Sequence, residues 1–138
     1  MAMVTLGLIA LLHMPFIDVD LWLIGCFGAA AVLLASAPHS PMAQPKSIIA
    51  GMLISSAIGL LAGFVFSNQA IAIIMAVGCA MFIMTLLDTR YPPGGAAALI
   101  AAAGQYDVWF LLLPIASGTA ILVFMQWVSL TLQPPVKS

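Results

Sequence analysis

The sequence predicts an all-α integral membrane protein, a helical bundle of about six apolar segments. Of its 138 residues, 64% are hydrophobic and 5% are charged, and the mean hydropathy is +1.24. A water-soluble domain needs a much larger charged fraction to cover its surface, so lipid must cover most of this one. The apolar runs are continuous, whereas barrel strands alternate polar and apolar residues, which favours helices. We expect residues 1–138 to form a single transmembrane domain.

Polar and proline-rich breaks divide the chain into six segments. In chain order they are Met3 to Ile17, Leu21 to Ala37, Ser47 to Phe66, Ala70 to Leu87, Gly94 to Gly104 and Val108 to Leu132. Segments three, four and six reach the roughly 20 residues that span a bilayer, and segments one and two are marginal. Segment five, at about 1.5 Å per residue, crosses only half of the hydrocarbon core.

The charged residues predict the orientation of the chain. If all six segments cross and the N-terminus is cytoplasmic, every cation falls on the cytoplasmic side: Lys46, Arg90 and Lys137. Three aspartates then fall outside: Asp18, Asp20 and Asp107. This distribution follows the positive-inside rule. We expect both termini in the cytoplasm, in a bacterial inner (cytoplasmic) membrane.

A second prediction is that the chain holds two inverted three-segment repeats, residues 1–67 and 68–134. A shift of 67 residues places GAAAVLLASA (Gly28–Ala37) on GAAALIAAAG (Gly95–Gly104) and segments one to three on four to six. Three crossings per half would give the halves opposite orientations, with short broken helices, a recurrent transporter design. Alanine-rich sequences also match by composition alone, so both explanations stay open.

Composition excludes several classes of function. Three cations and four anions make no basic patch for nucleic acid. The chain has no glutamate, all four aspartates lie at segment ends, and no nucleophile–base–acid set is visible, so we expect no enzyme activity. Two histidines without a CxxC motif predict no metal site, and no cofactor is indicated.

The start of segment five is the first candidate binding region. Pro92 and Pro93 cannot donate backbone hydrogen bonds and force Tyr91 toward an extended conformation, which ends any helix arriving from segment four. Gly94 and Gly95 then open a new helix with bare backbone. The first turn of a helix carries free N–H groups and the positive end of the helix dipole, so a small anion could approach it closely.

The predicted donors in this region come from backbone and side chains together: Arg90, Tyr91, Gly94, Gly95 and Ala96. Arg90 would add a charge or a guanidinium fork. The alternative is a plain cytoplasmic turn, in which Arg90 is a positive-inside anchor paired with Asp88.

The loop PHSPMAQPK is the second candidate region. Ser40 and Gln44 offer neutral hydrogen-bond donors, and Lys46 offers a charge at the start of segment three. The other residues of interest would shape the loop, and with Pro92 and Pro93 they form the predicted structural set: Pro38, His39, Pro41 and Pro45. The alternative is a rigid connector between helices with an exposed histidine.

These two regions carry a resemblance to the HPP family of small integral membrane proteins. CFGAAAVLLASAPHSPMAQPK (Cys26–Lys46) resembles the family block SFGASAVLLFGAPxSPLAQPR, and YPPGGAAAL (Tyr91–Leu99) resembles HPPAGATAL. The spacing between the blocks also matches, so the resemblance covers nearly the whole chain. It implies a compact helical membrane domain, commonly described with four spans, and some plant and cyanobacterial members are associated with nitrite transport.

Two residues depart from the family pattern. Tyr91 stands in place of the histidine of the name-giving triplet, so any role of that histidine would fall to the tyrosine hydroxyl or be lost. Lys46 stands in place of the usual arginine, which keeps the charge but loses the bidentate fork.

The leading hypothesis is a transporter or channel for a small monovalent inorganic anion, nitrite first, in the lipid bilayer. The alternative is a membrane assembly or regulatory module that transports nothing. Small residues recur at every fourth position of segment three, at Gly51, Ser55, Gly59 and Gly63. This spacing fits close helix packing within the chain or a homo-oligomer, a dimer or trimer.

Overall fold

Five α-helices form the described part of the chain. The computed structural model describes residues 7, 11, 21–104 and 106–132, without the side chains of residues 21–24. The helices are α1 (Leu21–Ser36), α2 (Pro45–Val65), α3 (Gln69–Leu86), α4 (Pro92–Ala103) and α5 (Ser117–Leu132). A 3-10 helix, Pro41–Ala43, precedes α2, and a π-helix, Leu111–Ala116, leads into α5. These residues contain no strand, which confirms the all-α prediction. Most of segment one lies outside the described residues.

Among the described residues, three helical runs are long and apolar enough to cross a membrane: Pro45–Val65, Gln69–Leu86 and Leu111–Leu132. On α3, alanines at every fourth position face the bundle: Ala72, Ala76 and Ala80. Large apolar side chains such as Ile74 and Phe82 point outward, with 69% and 66% of their surface exposed. This outward face is suited to lipid.

Capping residues set the helix boundaries. Proline is favoured in the first turn of a helix, where its missing N–H costs nothing, so α2 begins at Pro45 and α4 at Pro92. Helix α4 therefore starts two residues before the predicted Gly94. Asn68 caps α3, because its side-chain oxygen accepts hydrogen bonds from two backbone amides of the first turn.

Helix α3 ends in a Schellman turn. The Thr89 amide donates to the Met84 carbonyl at 2.9 Å, and the Asp88 amide donates to the Thr85 carbonyl at 3.3 Å. Asp88 takes the left-handed position of this motif, with φ at 51°. The turn redirects the chain sharply before it reaches the prolines of α4.

Helices α2 and α4 run parallel and in close contact. A Cβ atom at Gly94 would lie 2.6 Å from the Gly51 carbonyl oxygen, and one at Gly59 would collide with the Ala98 carbonyl. Further along, a Cβ atom at Gly63 would lie 3.2 Å from the Ala102 carbonyl oxygen. The small-residue face of segment three is thus used for packing within the chain.

Helices α1 and α5 also run parallel to each other. Phe27 of α1 packs on Gly118 of α5. Further along both helices, the Gln126 Nε2 donates to the Pro38 carbonyl at 2.6 Å. Tyr106, before α5, lies beside Leu60 and Gly63 near the end of α2, whereas Gln126 lies near Pro38, so α5 runs opposite to α2. Helices α1 and α5 therefore point one way and α2 and α4 the other.

The bundle therefore has two distinct ends. We call the end with residues 37–44 and 87–91 the proximal end, and the end with residues 66–68 and 106–108 the distal end. Helix α4 reaches the distal end, where the Gln69 Nε2 donates to the Ala103 carbonyl at 2.7 Å. With 12 residues it is about 18 Å long, against a hydrocarbon core of about 30 Å.

Candidate functional site

A cleft of about 540 Å³ opens at the proximal end. We call it the vestibule, and its lining residues are Ser40, Pro41, Met42, Gln44, Lys46, Ser47, Asp88 and Arg90. The two candidate regions of the sequence thus meet in one place, although they lie more than 40 residues apart. Since a water molecule takes about 30 Å³ of liquid, an ion in the vestibule would stay hydrated.

The charges of the vestibule favour an anion. Lys46, Arg90 and Asp88 line it together, so the lining carries one net positive charge. Arg90 Nη2 lies 3.9 Å from Asp88 Oδ1, and the two side chains are 65% and 91% exposed. Such an exposed pair contributes little stability, and it leaves the guanidinium free to contact another anion.

Side-chain hydrogen bonds hold the loop over the vestibule. Ser47 Oγ donates to the Pro41 carbonyl at 3.1 Å, and Gln126 holds the Pro38 carbonyl. Gln126 is almost completely buried, and sequence reasoning missed it. The sequence feature that could have identified Gln126 is that it is a lone amide side chain within an apolar segment. Ser40 Oγ is buried without a partner among the described residues, so this predicted donor is available.

Burial alternates along the segment between α3 and α4. Asp88 and Arg90 are exposed in the vestibule, whereas Thr89 and Tyr91 are 2% and 1% exposed. Tyr91 has the extended backbone that the prolines predicted, with φ −136° and ψ 96°. Side chains of extended chain alternate in direction, which accounts for Arg90 and Tyr91, whereas Asp88 is directed by its left-handed backbone in the turn.

The hydroxyls of Thr89 and Tyr91 have no hydrogen-bond partner among the described residues. An unpaired buried hydroxyl costs about 1–3 kcal/mol. Sequence reasoning selected Tyr91 and missed Thr89, to which it gave no role. The sequence feature that could have identified Thr89 is its position two residues before Tyr91, because alternate residues of an extended segment face the same side.

The predicted backbone donors of α4 lie away from the vestibule lining. Gly94 and Gly95 are buried, Ala96 is half-buried, and none of the three lines the cleft. The Gly94 amide donates to the Tyr91 carbonyl at 2.9 Å. The start of α4 therefore lies deeper in the protein than the vestibule.

The remaining predicted loop residues frame the site. His39 and Pro92 are exposed, Pro38 is half-buried and Pro93 is buried. Cys26 Sγ on α1 donates to the Pro93 carbonyl at 3.2 Å, which ties α1 to the start of α4. Within residues 21–104 and 106–132, no three His, Cys, Asp or Glu side chains are grouped for a metal ion.

Comparison with known proteins places the chain in a family. The sequence profile described as "HPP, transmembrane region" matches residues 1–137. A transmembrane protein of Dictyostelium discoideum is 36% identical over 109 residues, which cover 73% of this chain and 38% of that protein. A second from the same organism is 35% identical over 107 residues, covering 72% and 34%. No solved structure matches.

The chain spans about a third of the length of these curated relatives, whose names state only that they are transmembrane proteins. Both come from Dictyostelium, so the bacterial inner membrane stays a prediction. The family profile covers nearly every residue, including both blocks that carry the resemblance. The chain belongs to the HPP transmembrane family and is an integral membrane protein.

Proposed function

We propose that this domain carries a small monovalent anion across the membrane, with nitrite the first candidate. The observation that supports the proposal most directly is the convergence of Lys46 and Arg90, from distant parts of the chain, with Ser40 and Gln44 in one vestibule. Cations attract the hydrated ion, and the neutral side chains offer hydrogen bonds to it.

The distribution of carboxylates favours an anion over a cation. Cation pathways through membranes usually show acidic residues within the spanning helices. Among the described residues the carboxylates are Asp88 and Asp107, and both lie in connections between helices. Nitrite stands first among small anions because of the family's association with nitrite transport.

We also propose that the domain is built from two inverted repeats, offset by 67 residues. Cys26 and Pro93, joined by a hydrogen bond, are 67 residues apart. The ends of α1 and α4, Ser36 and Ala103, have the same separation. So do the ends of α2 and α5.

Contacts between the helices support the same relation. The offset of 67 residues relates Gly94 to Phe27 and Gly118 to Gly51. The contact of Gly94 with Gly51 and the contact of Phe27 with Gly118 are both present. The helices related by the offset, α1 with α4 and α2 with α5, point in opposite directions. In transporters of this design the substrate passes at the repeat interface, here the region of the Cys26–Pro93 contact.

The test is anion uptake into proteoliposomes that contain the purified protein. Nitrite, nitrate, formate and chloride would be compared in the wild type, Arg90→Ala and Lys46→Ala. We expect saturable uptake with nitrite preferred, and a rise in KM of about tenfold in each variant, the equivalent of 1.4 kcal/mol of lost attraction.

Two control variants distinguish an effect of charge in the vestibule on KM from an effect of charge elsewhere on the protein. Arg90→Lys keeps the positive charge and should retain most of the uptake, whereas Asp107→Asn changes a charge at the distal end and should leave KM for entry at the proximal end unchanged. Absence of uptake of every anion by folded wild-type protein would rule out the transport proposal.

A further inference from the structure

We propose that an inner anion subsite lies beneath the vestibule, formed by the hydroxyls of Thr89 and Tyr91 at the start of α4. It deepens the proposed function and rests on it. Nothing in the sequence assigned a role to Thr89. The ligand is a small monovalent anion that has lost part of its water.

The segment that joins α3 to α4 separates the vestibule from the interior. Its alternate residues Asp88 and Arg90 line the vestibule, and Thr89 and Tyr91 project to the opposite, buried side. Arg90 lies between Thr89 and Tyr91 in the chain, so the two buried residues directly adjoin a residue that lines the vestibule. Both hydroxyls lack a partner among the described residues.

The subsite is deeper than the vestibule. Tyr91 packs on Gly51, six residues into α2, which corresponds to about 9 Å from the helix start. A Cβ atom at Gly94 would lie 3.0 Å from Ser55 Oγ, so this hydroxyl also faces the first turn of α4. The described acceptor for Ser55 Oγ is the Met84 thioether at 3.5 Å, a weak one that an anion could replace.

The chemistry of these groups selects an anion. Hydroxyls of threonine, tyrosine and serine can donate hydrogen bonds without adding charge. The positive end of the α4 dipole points at the same region, and α4 is 12 residues long. Neutral donors bind a partly dehydrated monovalent anion and release it readily, which suits a path rather than a storage site.

The test removes each hydroxyl without changing side-chain shape. Tyr91→Phe and Thr89→Val would be studied singly and together in full-length protein. The matched control is Thr119→Val, since Thr119 is equally buried but its Oγ1 donates to the Ile115 carbonyl at 2.6 Å. The readouts are KM for nitrite uptake and the rise in thermal unfolding midpoint caused by sodium nitrite, with sodium gluconate at equal ionic strength as reference.

We expect the double variant to raise KM about tenfold and to lose the nitrite-dependent rise in midpoint. Its midpoint without nitrite should be equal to or above that of the wild type, because two unpaired buried hydroxyls are gone. A purely structural role would instead lower that midpoint. Thr119→Val should lose a little stability and keep the response to nitrite.

The outcomes separate this subsite from the transport function. If Arg90→Ala impairs uptake while the double variant behaves as wild type in both readouts, the vestibule stands and the subsite is wrong. If wild-type protein transports no anion but shows a nitrite-dependent rise in midpoint that the double variant lacks, the subsite stands and transport is wrong.

Discussion

Asp88 has a structural role in the turn after α3, and its negative charge opposes the binding of an anion in the vestibule. Its left-handed backbone completes the Schellman turn of α3, and its carboxylate lies beside Arg90 in the vestibule. Asparagine also tolerates the left-handed conformation, so Asp88→Asn removes the charge and keeps the turn. At about 5–8 Å in water, one charge changes anion binding by roughly 0.5–0.8 kcal/mol. We expect KM for nitrite to fall about two- to fourfold.

The measurement for Asp88→Asn is nitrite uptake at two ionic strengths. The gain should be clear at about 10 mM salt and small at about 1 M, where the Debye length shrinks from roughly 30 to 3 Å. An unchanged KM at low salt would show that the anion does not approach Asp88.

At the scale of elements, the packing of α2 on α4 depends on glycine. A Cβ atom at Gly59 would collide with the Ala98 carbonyl, a backbone atom that cannot rotate away. Gly59→Ala must therefore push the two helices apart. We expect a loss of about 1–3 kcal/mol in the free energy of unfolding, measured by denaturant titration in detergent.

Gly78 of α3 is the matched control for Gly59. It is exposed, and a Cβ atom there would meet nothing within 4 Å. Gly78→Ala should stabilise the protein by about 0.5–1 kcal/mol, because alanine loses less backbone entropy in a helix. If Gly59→Ala and Gly78→Ala changed the free energy of unfolding in the same direction, the close approach of α2 and α4 would not be the reason for glycine at position 59.

For the molecule as a whole, the sequence predicted the helices and the two candidate regions more fully than the depth of the site. Apolar runs and prolines located α1 to α4 within a few residues, because lipid forces backbone groups to pair within helices. The sixth predicted segment takes in both the π-helix and α5. The sequence did not show that α4 starts opposite Gly51, since that depends on glycine contacts between distant segments. Hence sequence reasoning gave no role to Thr89, which is buried.

The two ends of the bundle should face opposite sides of the membrane, with the proximal end cytoplasmic by the positive-inside rule. His39 is exposed at the proximal end and Asp107 at the distal end. In protein carrying Cys26→Ala and Cys79→Ala, a membrane-impermeant maleimide should label His39→Cys only in inside-out vesicles. It should label Asp107→Cys only in right-side-out vesicles. The reverse pattern would overturn the orientation alone, whereas labelling of both from one side would contradict the bundle spanning the bilayer between these ends.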